Sequence, residues 1–374
     1  MPKICFEAKN FHSHFPPLPM PAEFTVSRLE LVVEAMRVGE SGVVGGYHRR
    51  LPERLWRAMM VIAFLEERER NGDLVWASSE AFTELDPSEK TSVSFLLGLV
   101  QASVLAKRLL WLSDVVHVDA LLKLRKIALS GRRPDLVGFD PAGAVPGGYG
   151  RVLIEAKGRS EATKSVVQKA AISAKKQLRE FDDHFNRNSA YELIGANPVL
   201  IASVAHFTKA GYWNGYLDDP PAARNEQPPG VREAAFQGLL NLASLRPVVE
   251  TIAEIREYAP ARFNRTNGMT FARLPGINMI IGLPTQIYDE VATITGTDRP
   301  ISDYRAARWA QDSDGRAEIV ETRRQQISED YSEVFADFYL DKDGVLAASL
   351  PPFNNGDDNA APDEQAREYP DWLV

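Results

Sequence analysis

Three short runs of branched and apolar residues follow one another in the middle of the chain: 115–124 (VVHVDALLKL), 134–139 (PDLVGF) and 151–156 (RVLIEA). Runs this short, rich in Val, Ile and Leu and bounded by turn residues, read as strands of a buried sheet. The stretch between the last two, 140–150 (DPAGAVPGGYG), is dense in Gly and Pro and has to turn. Residues 162–181 then place apolar side chains at helical spacing, and 198–207 (PVLIASVAHF) is a further buried strand. The order helix, strand, strand, strand, helix, strand predicts an α/β fold with a mixed central sheet flanked by helices.

On either side the pattern changes. Residues 26–113 read as mostly helical: 51–70 carries Leu55, Met59, Ile62 and Leu65 on one face, and Asp86-Pro87-Ser88-Glu89 is a helix start with a cap, a first-turn proline and an early acid. That helix runs to about Leu110 and contains the longest apolar stretch, 94–106, which ends at Lys107 and Arg108. The stretch is too short to cross a bilayer and reads as a buried core helix. Beyond Gly211 come a Pro-rich loop at 218–230, a helix at 231–258, a hairpin turning at Asn267-Gly268, a strand at 277–282 and a helix at 286–294. The expected divisions are a helical region 1–112, a core 113–210, an α+β region 211–352 and a disordered acidic tail 353–374.

No basic segment followed by an apolar one opens the chain, and Cys5 is the only cysteine. These features predict a cytoplasmic protein with no internal disulfide and no multi-thiolate zinc site. The net charge is -8, yet thirteen Lys and Arg fall between Leu121 and Glu180 against five acids. A confined basic segment in an acidic protein is either a phosphate-binding surface or a solvated helix face.

The run 151–156 ends in Glu155-Ala156-Lys157. Side chains alternate along a strand, so Glu155 and Lys157 share one face while Ile154 and Ala156 take the other. If 140–150 folds the two strands antiparallel, Asp135 comes to the same end as Glu155. Two carboxylates and a backbone carbonyl make a hard oxygen site for Mg²⁺, and a lysine beside it can orient water and offset charge on phosphate oxygens.

Pro134-Asp135 followed by Glu155-Ala156-Lys157, in this order of elements, resembles the PD-(D/E)XK nuclease superfamily over roughly residues 110–207. The resemblance implies a restriction-endonuclease-like core, with Asp135, Glu155 and the Ala156 carbonyl as ligands of Mg²⁺ (Mn²⁺ as substitute) and Lys157 as the catalytic lysine. It implies a phosphodiester hydrolase, specifically a DNA endonuclease of restriction or phage defence. The expected partner is nucleic acid and not a membrane, and the flanking regions would serve substrate choice, homodimerisation or docking within a defence complex. Gln177, with Phe181 four residues on, is similar to the Gln-x-x-x-Tyr motif of RecB-like members, with Phe in place of Tyr; this adds Gln177 to the catalytic set. Superfamily members also carry a Glu on the helix before the first core strand, for which Glu66, Glu67, Glu80 and Glu84 are candidates. On the helix 162–181, Lys164, Lys175 and Arg179 form one stripe and are the expected nucleic-acid contacts.

The same features also fit a non-catalytic nucleic-acid-binding or assembly module of that fold. A second Glu-Ala-Lys, Glu7-Ala8-Lys9, has no Pro-Asp strand before it and serves as a decoy. His12 and His14 lack further ligands, 39–46 lacks the Lys-Ser/Thr of a P-loop, and the Asp-x-Asp-Gly runs at 312–315 and 341–344 read as tight turns.

Overall fold

The branched apolar runs become adjacent strands of a mixed sheet. The computed structural model describes residues 1–11, 22–38, 50–127, 133–139, 151–185, 198–218, 232–296, 299–330, 335 and 337–350. In chain order the elements up to the middle of the chain are β1 (Lys3–Lys9), β2 (Glu23–Thr25), α1 (Arg28–Val38), α2 (Leu51–Phe64), β3 (Leu65–Arg70), β4 (Asp73–Ser78), α3 (Glu80–Glu84), α4 (Pro87–Leu109), β5 (Asp114–His117) and α5 (Val118–Leu124). They are followed by β6 (Leu136–Phe139), β7 (Arg151–Arg159), α6 (Lys164–Phe185), β8 (Val199–Phe207), β9 (Trp213–Asp218) and α7 (Arg232–Tyr258). The remainder are β10 (Phe263–Thr266), β11 (Met269–Arg273), β12 (Met279–Pro284), α8 (Thr285–Thr295), α9 (Asp303–Gln311), α10 (Ser313–Asp330), β13 (Asp337–Leu340) and β14 (Leu346–Ser349).

The chain divides into two compact units: Met1–Gly45, Trp56–Ser244 and Asp298–Gln311 form one, and Gly46–Leu55, Leu245–Thr297 and Asp312–Val374 the other. Two of the divisions fall within α2 and α7. The first unit holds a sheet in the order β3-β4-β1-β9-β8-β7-β6-β5, with β2 on β1. β5, β6 and β7 are successively antiparallel, β7 and β8 are parallel, and β8 and β9 are antiparallel. β1 then joins β9 in parallel, and through β4 connects to the hairpin β3–β4.

α4 and α6 cover opposite faces of β7 and β8. α4 begins as its sequence dictates: the Asp86 carboxylate accepts from the N–H groups of Ser88 (2.7 Å) and Glu89 (3.1 Å), and Glu89 accepts from the Asp86 N–H. This reciprocal cap satisfies donors that a helix end would otherwise leave unpaired. By length and apolar content α4 passes the test for a bilayer-crossing helix, and 78% of that stretch is buried inside the fold. Its apolarity thus serves core packing. α6 lays Val167, Ala170, Ala171 and Ala174 onto Ala202, Val204 and Tyr216 of β8 and β9.

Three segments depart from the sequence expectation. Residues 115–124 are not one strand: β5 ends at His117, whose Nδ1 accepts from the Asp119 N–H (3.2 Å) and caps α5. The helix formers Ala120-Leu121-Leu122-Lys123-Leu124 then follow their own propensity. The helix expected over 51–70 stops at Phe64, because Asn71-Gly72 takes positive φ (53° and 86°) and folds 65–78 into a hairpin. Residues 3–9, for which the sequence pattern predicts no element, form β1, with Ile4 and Phe6 buried on alternate positions.

The second unit has a five-stranded antiparallel sheet, β10-β11-β12-β14-β13, with the expected hairpin at Asn267-Gly268. The Asp341 carboxylate accepts from the N–H groups of Asp343 (2.9 Å) and Val345 (2.8 Å), closing the tight turn before β14. Residues 313–315, by contrast, open α10 and are not a turn. His12, His14, 39–46 and 353–374 lie outside the described residues.

β7 meets α4 at Gly158, where a Cβ would stand 1.7 Å from the Ser94 carbonyl oxygen and 2.8 Å from the Phe95 nitrogen. Both are helix backbone, so neither can rotate away. Gly158→Ala is expected to lower unfolding free energy by about 2–3 kcal/mol or more, the overpacking range. Urea melts of the variant check this; a midpoint equal to wild type refutes the packing account.

Candidate active site

The register pairs Leu136 with Ile154, so Asp135 stands one residue beyond the end of β6, opposite Glu155. Its Oδ2 accepts the Ala156 N–H (2.9 Å), and its carbonyl accepts the Val118 N–H (3.0 Å). In an extended strand the N–H and C=O of one residue leave on the same side, so the Ala156 carbonyl is directed to the Asp135 side as well. The antiparallel turn-back expected from 140–150 is therefore realised in the β6–β7 pairing, and Asp135 and Glu155 meet.

Glu155 and Lys157 point to the α6 face of β7, while Gly158 presses on α4. Glu155 is 1% exposed. Lys157 donates to Glu155 Oε1 (2.5 Å) and to Gln177 Oε1 (3.2 Å). Gln177 is half-buried and reaches the site from α6, whereas Phe181, one turn on, is buried in the core. The ring that replaces the motif tyrosine thus packs inward.

Burial pushes the Glu155 carboxyl up to about 8, and the neighbouring Asp135 carboxylate adds to the rise against the pull of Lys157. Asp135 is raised to about 6, again chiefly by burial, with Asp119 contributing and the Ala156 N–H opposing. Glu155 Oε2 is buried and has no hydrogen-bond partner among the described residues. Two buried carboxyls that resist ionising together, one with an orphaned oxygen, fit a hard cation. Among the described residues no group of three or more His, Cys, Asp or Glu is placed to hold one ion. None of Glu66, Glu67, Glu80 and Glu84 therefore joins the pair.

The basic stripe of α6 lies on its other flank. Lys164 pairs with Glu7 of β1 (3.2 Å) and Lys175 with Asp218 of β9 (2.5 Å), while Arg179 is exposed one turn on. Across the sheet, Lys157, Val204, Tyr216 and Glu7 form one row and Glu155, Ala202, Asp218 and Lys9 the next. The decoy Glu7-Ala8-Lys9 therefore occupies the same rows as Glu155-Ala156-Lys157, in reverse order, but Glu7 is 61% exposed at its side chain and meets a lysine.

Three residues near Asp135 are not among the expected site residues: His117, Asp119 and Arg133. Asp119 pairs with Arg133 through both oxygens (2.6 and 3.1 Å), and burial holds His117 near 4, neutral at physiological pH. His117 and Asp119 lie in a run that reads as strand, which hides their place at a helix start. Arg133 is marked only by its position before Pro134.

In comparisons with known proteins, no family model matches the chain, and no curated protein or solved structure is detectably similar to it.

Carboxyls raised on folding keep protons that the unfolded chain has lost, so the folded state loses stability as pH rises through their folded values. His117, lowered on folding, acts oppositely, and only below its unfolded value near 6.5. Between pH 6.5 and 8 the metal-free protein is therefore expected to melt at progressively lower temperature. Asp135→Asn, which removes the repelling charge, should flatten that slope. Calorimetry in EDTA across this window tests it; a wild-type slope that rises or stays level counts against the buried pair.

Proposed function

We propose that this protein is a metal-dependent nuclease of the PD-(D/E)XK type, with a restriction-endonuclease-like core formed by α4, β5, β6, β7, α6 and β8. The observation that carries the reading is the meeting of Asp135, Glu155 and Lys157 at one end of the β6–β7 pair, with one Glu155 oxygen left unpartnered. The antiparallel β5–β6–β7 order and the parallel β8 reached through α6 support it. Within this reading the substrate is DNA cut internally, and the setting is restriction or phage defence.

Asp135, Glu155 and the Ala156 carbonyl would hold Mg²⁺, or Mn²⁺ in its place. The bound ion supplies Lewis-acid polarisation of a phosphoryl oxygen and a water of lowered pKa. Lys157, held by Glu155 on one side and Gln177 on the other, has a side chain 22% exposed, and its ammonium would offset charge developing on a substrate phosphate. Gln177 fixes the lysine's direction. A cation held there would offset the burial and the mutual repulsion of the two carboxylates, which ties the charge state of the site to its loading.

The test is a cleavage panel of single- and double-stranded DNA and RNA with Mg²⁺ and Mn²⁺. Asp135→Asn and Lys157→Ala should each lower the cleavage rate by at least about 10²-fold, the scale of removing one transition-state contact. Both variants should still fold in EDTA, since neither change opens a cavity in the apolar core, but Lys157→Ala, which strips buried Glu155 of its partner, should melt lower than Asp135→Asn. Lys9→Ala should cleave as wild type does. Binding without cleavage by the wild-type protein on every substrate would leave only a nucleic-acid-binding module; full activity in either site variant would remove the assignment.

A further inference from the structure

We propose that Asp119 is a positioning residue for Asp135, acting through Arg133; the inference rests on the metal-site reading above. Asp135 ends a short segment, Arg133-Pro134-Asp135, that leads into β6, and the first turn of α5 grips this segment at two points. The Arg133 guanidinium is held by both Asp119 oxygens, Nε to Oδ1 at 2.6 Å and Nη2 to Oδ2 at 3.1 Å. Two residues on, the Asp135 carbonyl accepts the Val118 N–H at 3.0 Å. Val118 and Asp119 are consecutive, so one helix turn sets both the side chain before Pro134 and the backbone of the ligand after it. Pro134 stiffens the span between the two grips, because its ring fixes φ. What remains free is the Asp135 side chain, and that is fixed by the Ala156 N–H.

Asp119 is not a third ligand in this arrangement. Its oxygens are both taken up by the guanidinium, and it is only 7% exposed. No group of three acids able to share an ion occurs among the described residues. A planar, two-point Arg–carboxylate contact fixes direction as well as distance, which a single lysine contact would not do. The chemistry is that of an outer carboxylate orienting a ligand it does not touch, a relation whose loss typically costs about 10–100-fold in metal affinity.

Mn²⁺ binding, measured by electron paramagnetic resonance without nucleic acid, reads the site independently of cleavage. Asp119→Ala and Arg133→Gln should each weaken Mn²⁺ binding about 10–100-fold, and the double variant should be no weaker than the worse single. Asp119→Asn, which keeps one acceptor oxygen, should bind between wild type and Asp119→Ala. If Asp119→Ala fails to fold, because it strips a largely buried cation of its partner, Asp119→Asn and Arg133→Gln decide the same question. Asp135→Asn is the control. Loss of Mn²⁺ in Asp135→Asn with wild-type affinity in the Asp119 and Arg133 variants overturns the positioning role and leaves the metal site standing. Additive losses in the double variant also overturn it, since the two residues would then act separately. Wild-type affinity in Asp135→Asn overturns the metal-site reading, and this inference falls with it.

Discussion

A carboxyl group inside a sheet is the constraint around which the first unit is arranged. Glu155 sits at 1% exposure on β7, flanked by paired strands and under α6. Removing a carboxylate from water costs several kcal/mol unless charge or hydrogen bonds replace the lost hydration. One oxygen receives Lys157; the other receives nothing from the described residues. The nearby parts then have definite tasks. α6 brings Gln177 to the lysine, the β6–β7 pairing delivers Asp135, and α4, pressed on Gly158, holds β7 from behind. An apolar residue at 155 would carry no such desolvation cost.

Much of this is legible in the sequence, for reasons that differ by element. β7 and β8 are short branched runs with little alternative to a buried sheet, and α4 announces its start through four residues that cap it. The alternation of a strand by itself places Glu155 and Lys157 on one face. Where expectation and structure part, two local signals compete. From Leu55 to Leu65 the helical period is unbroken, and it outweighs Asn71-Gly72 just beyond, although the same dipeptide at 267–268 is a plain hairpin signal where no helix precedes it. In 115–124, branched residues speak for strand and Ala120–Leu124 for helix, and the cap that decides between them is a histidine, a residue seldom read as one. Asp119 leaves no trace in the pattern and Arg133 only its place before Pro134, because their meeting depends on the fold.

Glu-Ala-Lys occurs twice in one sheet, on the same face and in the same two rows. At β7 the glutamate is enclosed and faces a second acid; at β1 it is exposed and faces Lys164. The tripeptide is identical and the local geometry is strand in both cases. What differs between the two is the enclosure supplied by Asp135 and β6, and not the three residues.

β1 also bears on how the fold is reached. It lies in the interior of the sheet, between β4 and β9, yet its partner β9 begins more than two hundred residues later in the chain. Closing a loop of that length precedes any reward from the β1–β9 pairing, which places it after the pairings of β1 with β2 and β4. Until then β1 and β9 each present an open edge. During synthesis β1 thus waits for β9 with one edge unpaired. Such a chain profits from whatever delays self-association, and the acidic balance of the sequence, -8 overall, supplies a repulsion that acts while the chain is still unfolded.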